Sequence, residues 1–484
     1  MFLLLLLLIP LVGALLSFVI GRNEASAKSV AIASSLLSLG VFIYAAAQFA
    51  AGSTEIFSFA KPWIASAGLN FQFTADGISV LLLALTSVLV PLIVLSAADK
   101  GREKSNVFYA LVLFTQFTLV GVFTAGDLFL FYFFFEAALV PVYFLIINWG
   151  GENAPKSAFK MFIYTIFGSL LMLAAMVFLY TKGQTADLEA LKSTAALMPA
   201  KVQMILFGAF IIAFAIKMPL FPFHTWQPNA YTDSPATATM LLSGLLSKMG
   251  VFGLIRIALP MAPLAANEYA MIVTLLAIVG LIYGSVIAIK QDDIKRLIAY
   301  SSFAHMGLMA AGVLSGSVEG IQGAVFQMLA HGVNAVGLFY VAKIIFDRTG
   351  TRSLSKLGGI SQQAPVLSVL FMIILLGSVA LPLTNGFVGE FLMLKAVFEF
   401  DKLIGVIAGL SIILGAVYML RLFQKTMFGE VKDSQLIIVD VTGLERLVLV
   451  IISGIVLIMG VFPNVILKVS EPAAVTLLDY LSSI

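Results

Sequence analysis

The chain of 484 residues is 61% hydrophobic and 11% charged, with no cysteine and a formal net charge of +3. Soluble globular chains carry about a quarter of their residues as charges, so this composition describes an integral membrane protein and leaves almost nothing for a soluble domain. Without cysteine the chain holds no disulfide, no cysteine-ligated iron–sulfur cluster and no thioether haem, and so small a net charge does not point to nucleic acid or a polyanionic substrate.

A membrane-crossing helix needs about 20 predominantly apolar residues, and about fourteen such runs follow one another. They lie near residues 2–20, 29–50, 76–98, 106–125, 127–149, 157–181, 202–223, 235–260, 269–289, 294–315, 320–346, 365–398, 404–428 and 443–467. The opening run MFLLLLLLIPLVGALLSFVI has no basic stretch ahead of it, as a secretory signal would, and its first cation is Arg22. Lys and Arg gather in cytoplasmic loops. Loops after odd-numbered spans hold 18 basic residues, among them Arg22, Lys100, Lys295, Arg352 and Lys432, against 6 after even-numbered spans and in the tail. That asymmetry predicts both termini on the outer side.

Spans seven and twelve carry KMPLFPF and LPLTNGF where a helix should continue. Proline removes a backbone donor and clashes with the preceding turn, so both helices are expected to break there. Breaks five spans apart predict an all-α membrane domain over 1–484: N-terminal helices in 1–105, a five-helix repeat over 106–260, a second copy over 269–428 and a last helix at 443–467. Because five is odd, the second copy is inverted, as in many transporters. Two unrelated kinks would leave the same motifs.

Of the 28 basic residues, Lys217, Lys248, Arg256 and Lys395 fall inside spans. Lys217, in FAIKMPLFPFHTW, lies roughly 20 Å along its helix, too deep for its side chain to reach either surface. A charge there costs at least about 2.5 kcal/mol, and an ammonium, unlike a guanidinium, can give up its proton. The broken backbone beside it offers carbonyls and room for water. Glu136, in FLFYFFFEAALVPVYFLI, is the carboxylate expected beside Lys217, holding its proton when close and releasing it when apart; a structural ion pair would read the same way.

Lys248, in MLLSGLLSKMGVFG, is flanked by small residues that permit close helix packing and is a second candidate proton carrier. His305, in AYSSFAHMG, and His331, in FQMLAHGVNAVG, are candidate relays. They are also a candidate haem pair, although the chain offers no second such pair. His224, beside Trp226, is expected as a hydrogen-bonding residue at the inner end of the first break. Glu390 follows the second break, in LPLTNGFVGEFLMLKAVF.

The stretches FTADGIS, FEAALVPVYFLI, IKMPLFPFHTWQPNAYTDSPAT, DDIKRLIAYSSFAHMG, AHGVNAVGLFY and NGFVGEF, in this order, resemble the antiporter-like proton-pumping subunits of respiratory complex I, NADH:quinone oxidoreductase. These are relatives of the multisubunit cation/proton antiporters. The glutamate of GFVGEF is similar to that of the M branch, the mitochondrial fourth-subunit type, where other antiporter-like subunits place lysine; the end of the chain at Ile484, without a long lateral helix, is expected for the same branch. The resemblance implies that Glu136 tunes the pump lysine Lys217, that Lys248 connects it onward, that His305 and His331 are central relays, and that Glu390 ends the path. The family usually has leucine, aspartate and histidine where Gln227, Asn229 and Tyr231 stand.

By the same resemblance, FMN, iron–sulfur clusters and quinone belong to other subunits, and this chain holds no cofactor and no metal. Its partners are the other complex I subunits, above all neighbouring antiporter-like ones, within the bacterial inner membrane, both termini periplasmic. The alternative is a subunit of a multisubunit cation/proton antiporter or a membrane-bound hydrogenase. A scaffold without transport would not need two mid-span lysines.

Overall fold

A computed structural model of the protein describes residues 2–21, 23–53, 57–64, 67–97, 102–431 and 438–484. Of the loop cations counted above, Arg22, Lys100 and Lys432 lie outside the described residues. Thirteen helices among these residues are long and apolar enough to cross a membrane. In chain order the first seven are Phe2–Ile20, Glu24–Ala50, Gly77–Ser96, Ser105–Thr124, Leu128–Trp149, Ala154–Gly183 and Ala200–Lys217. Next come Ala236–Met261, Pro263–Lys290, Ile294–Leu314 and Val318–Thr349, and, after the interrupted twelfth span, Lys402–Met427 and Gly443–Val461. The fourteenth expected span, twelfth in order, is the pair Pro365–Ser378 and Asn385–Phe400.

Short polar side chains fix many of the starts. Asp76, Asp127, Asp293, Ser317 and Asp401 each accept a backbone N–H from the first turn of the helix that follows, which satisfies a donor that has no carbonyl partner within the helix.

Both expected breaks are present. The seventh span stops at Lys217 and helix resumes only at Gln227–Asp233, beyond Pro219 and Pro222. In the twelfth, Ala380 and Leu383 take left-handed φ values of 59° and 70° around Pro382, a conformation that a side chain disfavours. The Thr384 hydroxyl then donates to the Leu381 carbonyl at 2.6 Å, and helix restarts at Asn385.

Two further spans are irregular, the fifth at a proline of its own and the eighth without one at its π-turns. The fifth span divides into Leu128–Ala137 and Leu139–Trp149; Pro141 has no N–H for the Ala137 carbonyl four residues back. In the eighth, π-helical stretches Leu242–Leu246 and Leu254–Ala258 enclose Lys248–Gly253, and π-turns concentrate at functional sites.

The chain forms two compact units. One comprises Met1–Met218, Leu245–Ala270 and Val469–Ile484, the other Pro219–Gly244 and Met271–Lys468. The first also holds an antiparallel hairpin, Ser58–Ile64 against Leu69–Thr74, and the helix Leu188–Ala196. A final helix, Asn464–Ser482, follows the last expected span. Its tail is tied down within the first unit, where the Tyr480 hydroxyl donates to the carbonyls of Lys192 and Pro260. A search for long apolar runs passes over all three. Lys295, counted with a loop, instead lies in the first turn of the tenth span, buried, with Nζ donating to the Ser234 carbonyl at 2.5 Å and to that of Thr232 at 3.3 Å.

Candidate functional site

In the first unit the break places Lys217 at the last residue of its helix, 5% exposed, where the Met218 N–H still reaches the Phe214 carbonyl at 2.8 Å. Its ammonium sits 4.6 Å from the centre of the Phe135 ring. A ring face attracts a cation, and more strongly where water is excluded. Glu136, next to Phe135, is half-buried beside the Ser169 hydroxyl and acts on Lys217 through space; among the described residues the two make no ion pair within 4.0 Å. The ring is therefore the direct partner of the ammonium and the carboxylate a more distant one. Lys248 is fully buried and its Nζ lies 3.3 Å from the Ser247 hydroxyl.

Glycines bring the eighth span onto the end of the seventh. A Cβ on Gly250 would stand 2.6 Å from the Met218 Cβ, and one on Gly253 would stand 2.2 Å from the Phe214 ring. Only residues without a side chain allow that approach.

In the second unit the structure brings together three of the predicted residues. His305 Nδ1 lies 3.1 Å from Glu390 Oε1, and the His305 and His331 rings meet edge-on with centres 5.6 Å apart. Glu390 is 4% exposed and also accepts from the Gln327 side-chain amide at 3.3 Å. Lys395, five residues further along Glu390's helix, pairs instead with Glu319 at 2.9 Å. His224 is buried with aromatic rings beside it, stacked 4.4 Å from Phe303 and edge-on to Tyr283 at 5.3 Å.

Several polar residues absent from the sequence reading belong to this site. Ser301 stands one helical turn before His305, and Gln327 one turn before His331, a spacing that puts each on the face of its histidine. A search for polar residues four positions from each histidine would have found both. The paired amides of Asn334 and Asn385, 3.1 Å apart, tie the restart of the twelfth span to the eleventh. Tyr418, from the thirteenth span, carried no signal in its sequence.

Two carboxylates lie just ahead of spans in the first unit. Burial alone would raise Asp76, but the Arg256 guanidinium at 2.7 Å and the Ser79 N–H overcome it and hold the carboxyl below its ordinary value. Asp127 goes the other way: burial pushes it up and the carboxylate of Asp187 adds to that, against hydrogen bonds from the N–H groups of Asn70, Leu130 and Phe129. Chemically, the two units offer buried ammonium, carboxyl and imidazole groups that can take up and give up protons; among the described residues no group of three or more His, Cys, Asp or Glu is arranged to hold a metal ion.

Residues 125–425 match the family described as NADH:quinone oxidoreductase/Mrp antiporter, TM. The chain is 39% identical over 445 residues to the NADH-quinone oxidoreductase subunit M of Rickettsia typhi, covering 91% of this chain and 90% of that protein. It is 32% identical to NADH-ubiquinone oxidoreductase chain 4 of Marchantia polymorpha, covering 98% of this chain and 96% of that one. Among solved structures, a chain of respiratory complex I from Thermus thermophilus with bound NADH superposes with a TM-score of 0.90 at 33% identity, over 99% of this chain and 100% of the other.

Proposed function

The chain belongs to the family of transmembrane subunits shared by NADH:quinone oxidoreductase and Mrp antiporters, and from that membership we propose that it is the proton-translocating, antiporter-like M subunit of a bacterial NADH:quinone oxidoreductase. It is a multi-pass membrane protein, assigned here to the inner membrane with both termini on the outer side. Oxidation of NADH, with its flavin, iron–sulfur clusters and quinone, is assigned to other subunits, and this chain contributes no redox step. In this reading residues 106–260 and 269–428 form two inverted repeats.

The observation that carries the reading is the pair of buried lysines, Lys217 at 5% and Lys248 at 0% exposure, in a chain similar along nearly its whole length to named M subunits. Packing alone gains nothing from an ammonium in an apolar bundle. In this reading Lys217 carries the proton. Approach of Glu136 favours the ammonium by Coulomb attraction and its withdrawal favours release, while the Phe135 face holds the cation in place between the two states. Lys248 takes the proton onward; His331, His305 and Glu390 form the release end, and His224 is a relay beside the first break. Cation exchange of the Mrp type is the second reading, supported by the shared family description.

The test is Lys217→Ala and Lys217→Arg in the assembled complex, reconstituted in vesicles. Both are expected to depress quinone-coupled proton pumping, arginine because it keeps its proton. Normal pumping by a normally assembled Lys217→Arg complex would show that Lys217 is a fixed charge.

A further inference from the structure

Two cavities flank His305 in the second unit, each with about 10 Å³ of space for water centres, which is about one water apiece. The first is bordered by His331, Gln327, Ser301 and Ser302, the second by Glu390, Tyr418 and Ser411, and His305 lines both. Ser302 Oγ and Gln327 Oε1, on residues of the first, and Ser411 Oγ, on the second, are buried without a protein hydrogen-bond partner. Buried polar atoms of this kind need water, so both cavities are suited to hold it.

His305 joins the two cavities, and a second connection runs beside it. Ser301, on the wall of the first cavity, donates its hydroxyl to the Tyr418 hydroxyl on the wall of the second, at 3.2 Å. Hydroxyls in the spans of this protein often turn back onto their own helix, as those of Thr86, Thr124, Thr165 and Thr426 do, which is the ordinary behaviour of such a residue in mid-helix. Ser301 reaches another span instead. Both hydroxyls donate and accept, so the pair is a continuous hydrogen-bonded link.

We propose that Ser301 and Tyr418 form a second proton link between the two cavities, parallel to His305; the inference rests on the proton-translocation reading above. A hydronium in the first cavity gives a proton to Ser301 Oγ as the serine's own proton passes to Tyr418 and the tyrosine's passes to a water or the Glu390 carboxylate in the second. Three O–H bonds break and three form. One proton has moved, both hydroxyls stay neutral, and their rotation resets the link.

Tyr418→Phe keeps the ring and removes one oxygen; Ser301→Ala removes the other partner without a change of helix packing. Each is made in the whole complex, alone and with His305→Gln, alongside Lys217→Ala, with assembly followed on native gels and proton-to-electron ratio measured in vesicles. With two parallel links, loss of either is expected to lower pumping about twofold and loss of both to lower it far more than the product of the singles. The H₂O/D₂O effect on pumping is expected to rise in His305→Gln, where every proton crosses by the hydroxyl pair. Tyr418→Phe and Ser301→Ala complexes that pump like their parents in both backgrounds would overturn the link. If Lys217→Ala depresses pumping in that same series, the translocation reading stands and the link alone has failed; if Lys217→Ala also pumps normally, the reading beneath it has failed. Should Tyr418→Phe not assemble, Ser301→Ala decides the matter.

Discussion

At the scale of single residues, the carboxylate of Glu390 is held between the His305 imidazole and the Gln327 amide, so removal of its charge changes the site with little change of shape. Glu390→Gln is expected to lower coupled turnover by about tenfold or more, measured as quinone-dependent pumping in assembled complex, whereas Glu390→Asp, which still exchanges a proton, should retain more. Asp76 and Arg256 offer a test of a different kind. Because the folded carboxyl lies below the ordinary value of 3.8, the stability it contributes is complete above that value and is lost as pH falls through the folded one. Arg256→Ala is expected to lower the stability of the complex by about 1–3 kcal/mol at pH 7, read as melting temperature. The difference from wild type should shrink only below the ordinary aspartate range.

At the scale of elements, interruptions concentrate beside the ionisable residues. The seventh span ends on Lys217, the fifth is interrupted two residues after Glu136, π-helix encloses Lys248, and Glu390 follows the left-handed turn of the twelfth. Free carbonyls and local space at such places are what a charged group in an apolar bundle requires. Close packing is the complementary device. Gly253→Ala would drive a methyl into the Phe214 ring, and Gly250→Ala would meet Met218; each is expected to cost about 1–3 kcal/mol. Thermal unfolding of the purified complex measures it, and the neighbouring Gly208, whose Cβ would meet nothing within 4 Å, is the control position.

At the scale of the whole molecule, the excess of Lys and Arg in alternate loops predicts an orientation with both termini outward. The lack of native cysteine makes this directly testable. Glu103→Cys, exposed just ahead of the fourth span, is expected to react with an impermeant maleimide only from the cytoplasmic side; reaction in intact cells would reverse the orientation.

The sequence by itself determined the membrane class, the number and order of spans, the two breaks in spans seven and twelve, and the ionisable residues that lie inside spans. Each of these follows from local chemistry: an apolar run of bilayer length, a missing backbone donor, a charge where charge is costly. The family was legible too, in polar motifs that apolar composition does not generate. Pairings between spans were not, because a side chain's partner depends on how helices pack and not on their separation in sequence. Only the tertiary structure decided that the Lys217 ammonium faces the Phe135 ring, that His305 faces Glu390, that His224 lies beside aromatic rings and that Ser301 meets Tyr418. The hairpin, the π-turns and the closing helix Asn464–Ser482 also lay outside local signals, since the contacts that stabilise them come from distant parts of the chain.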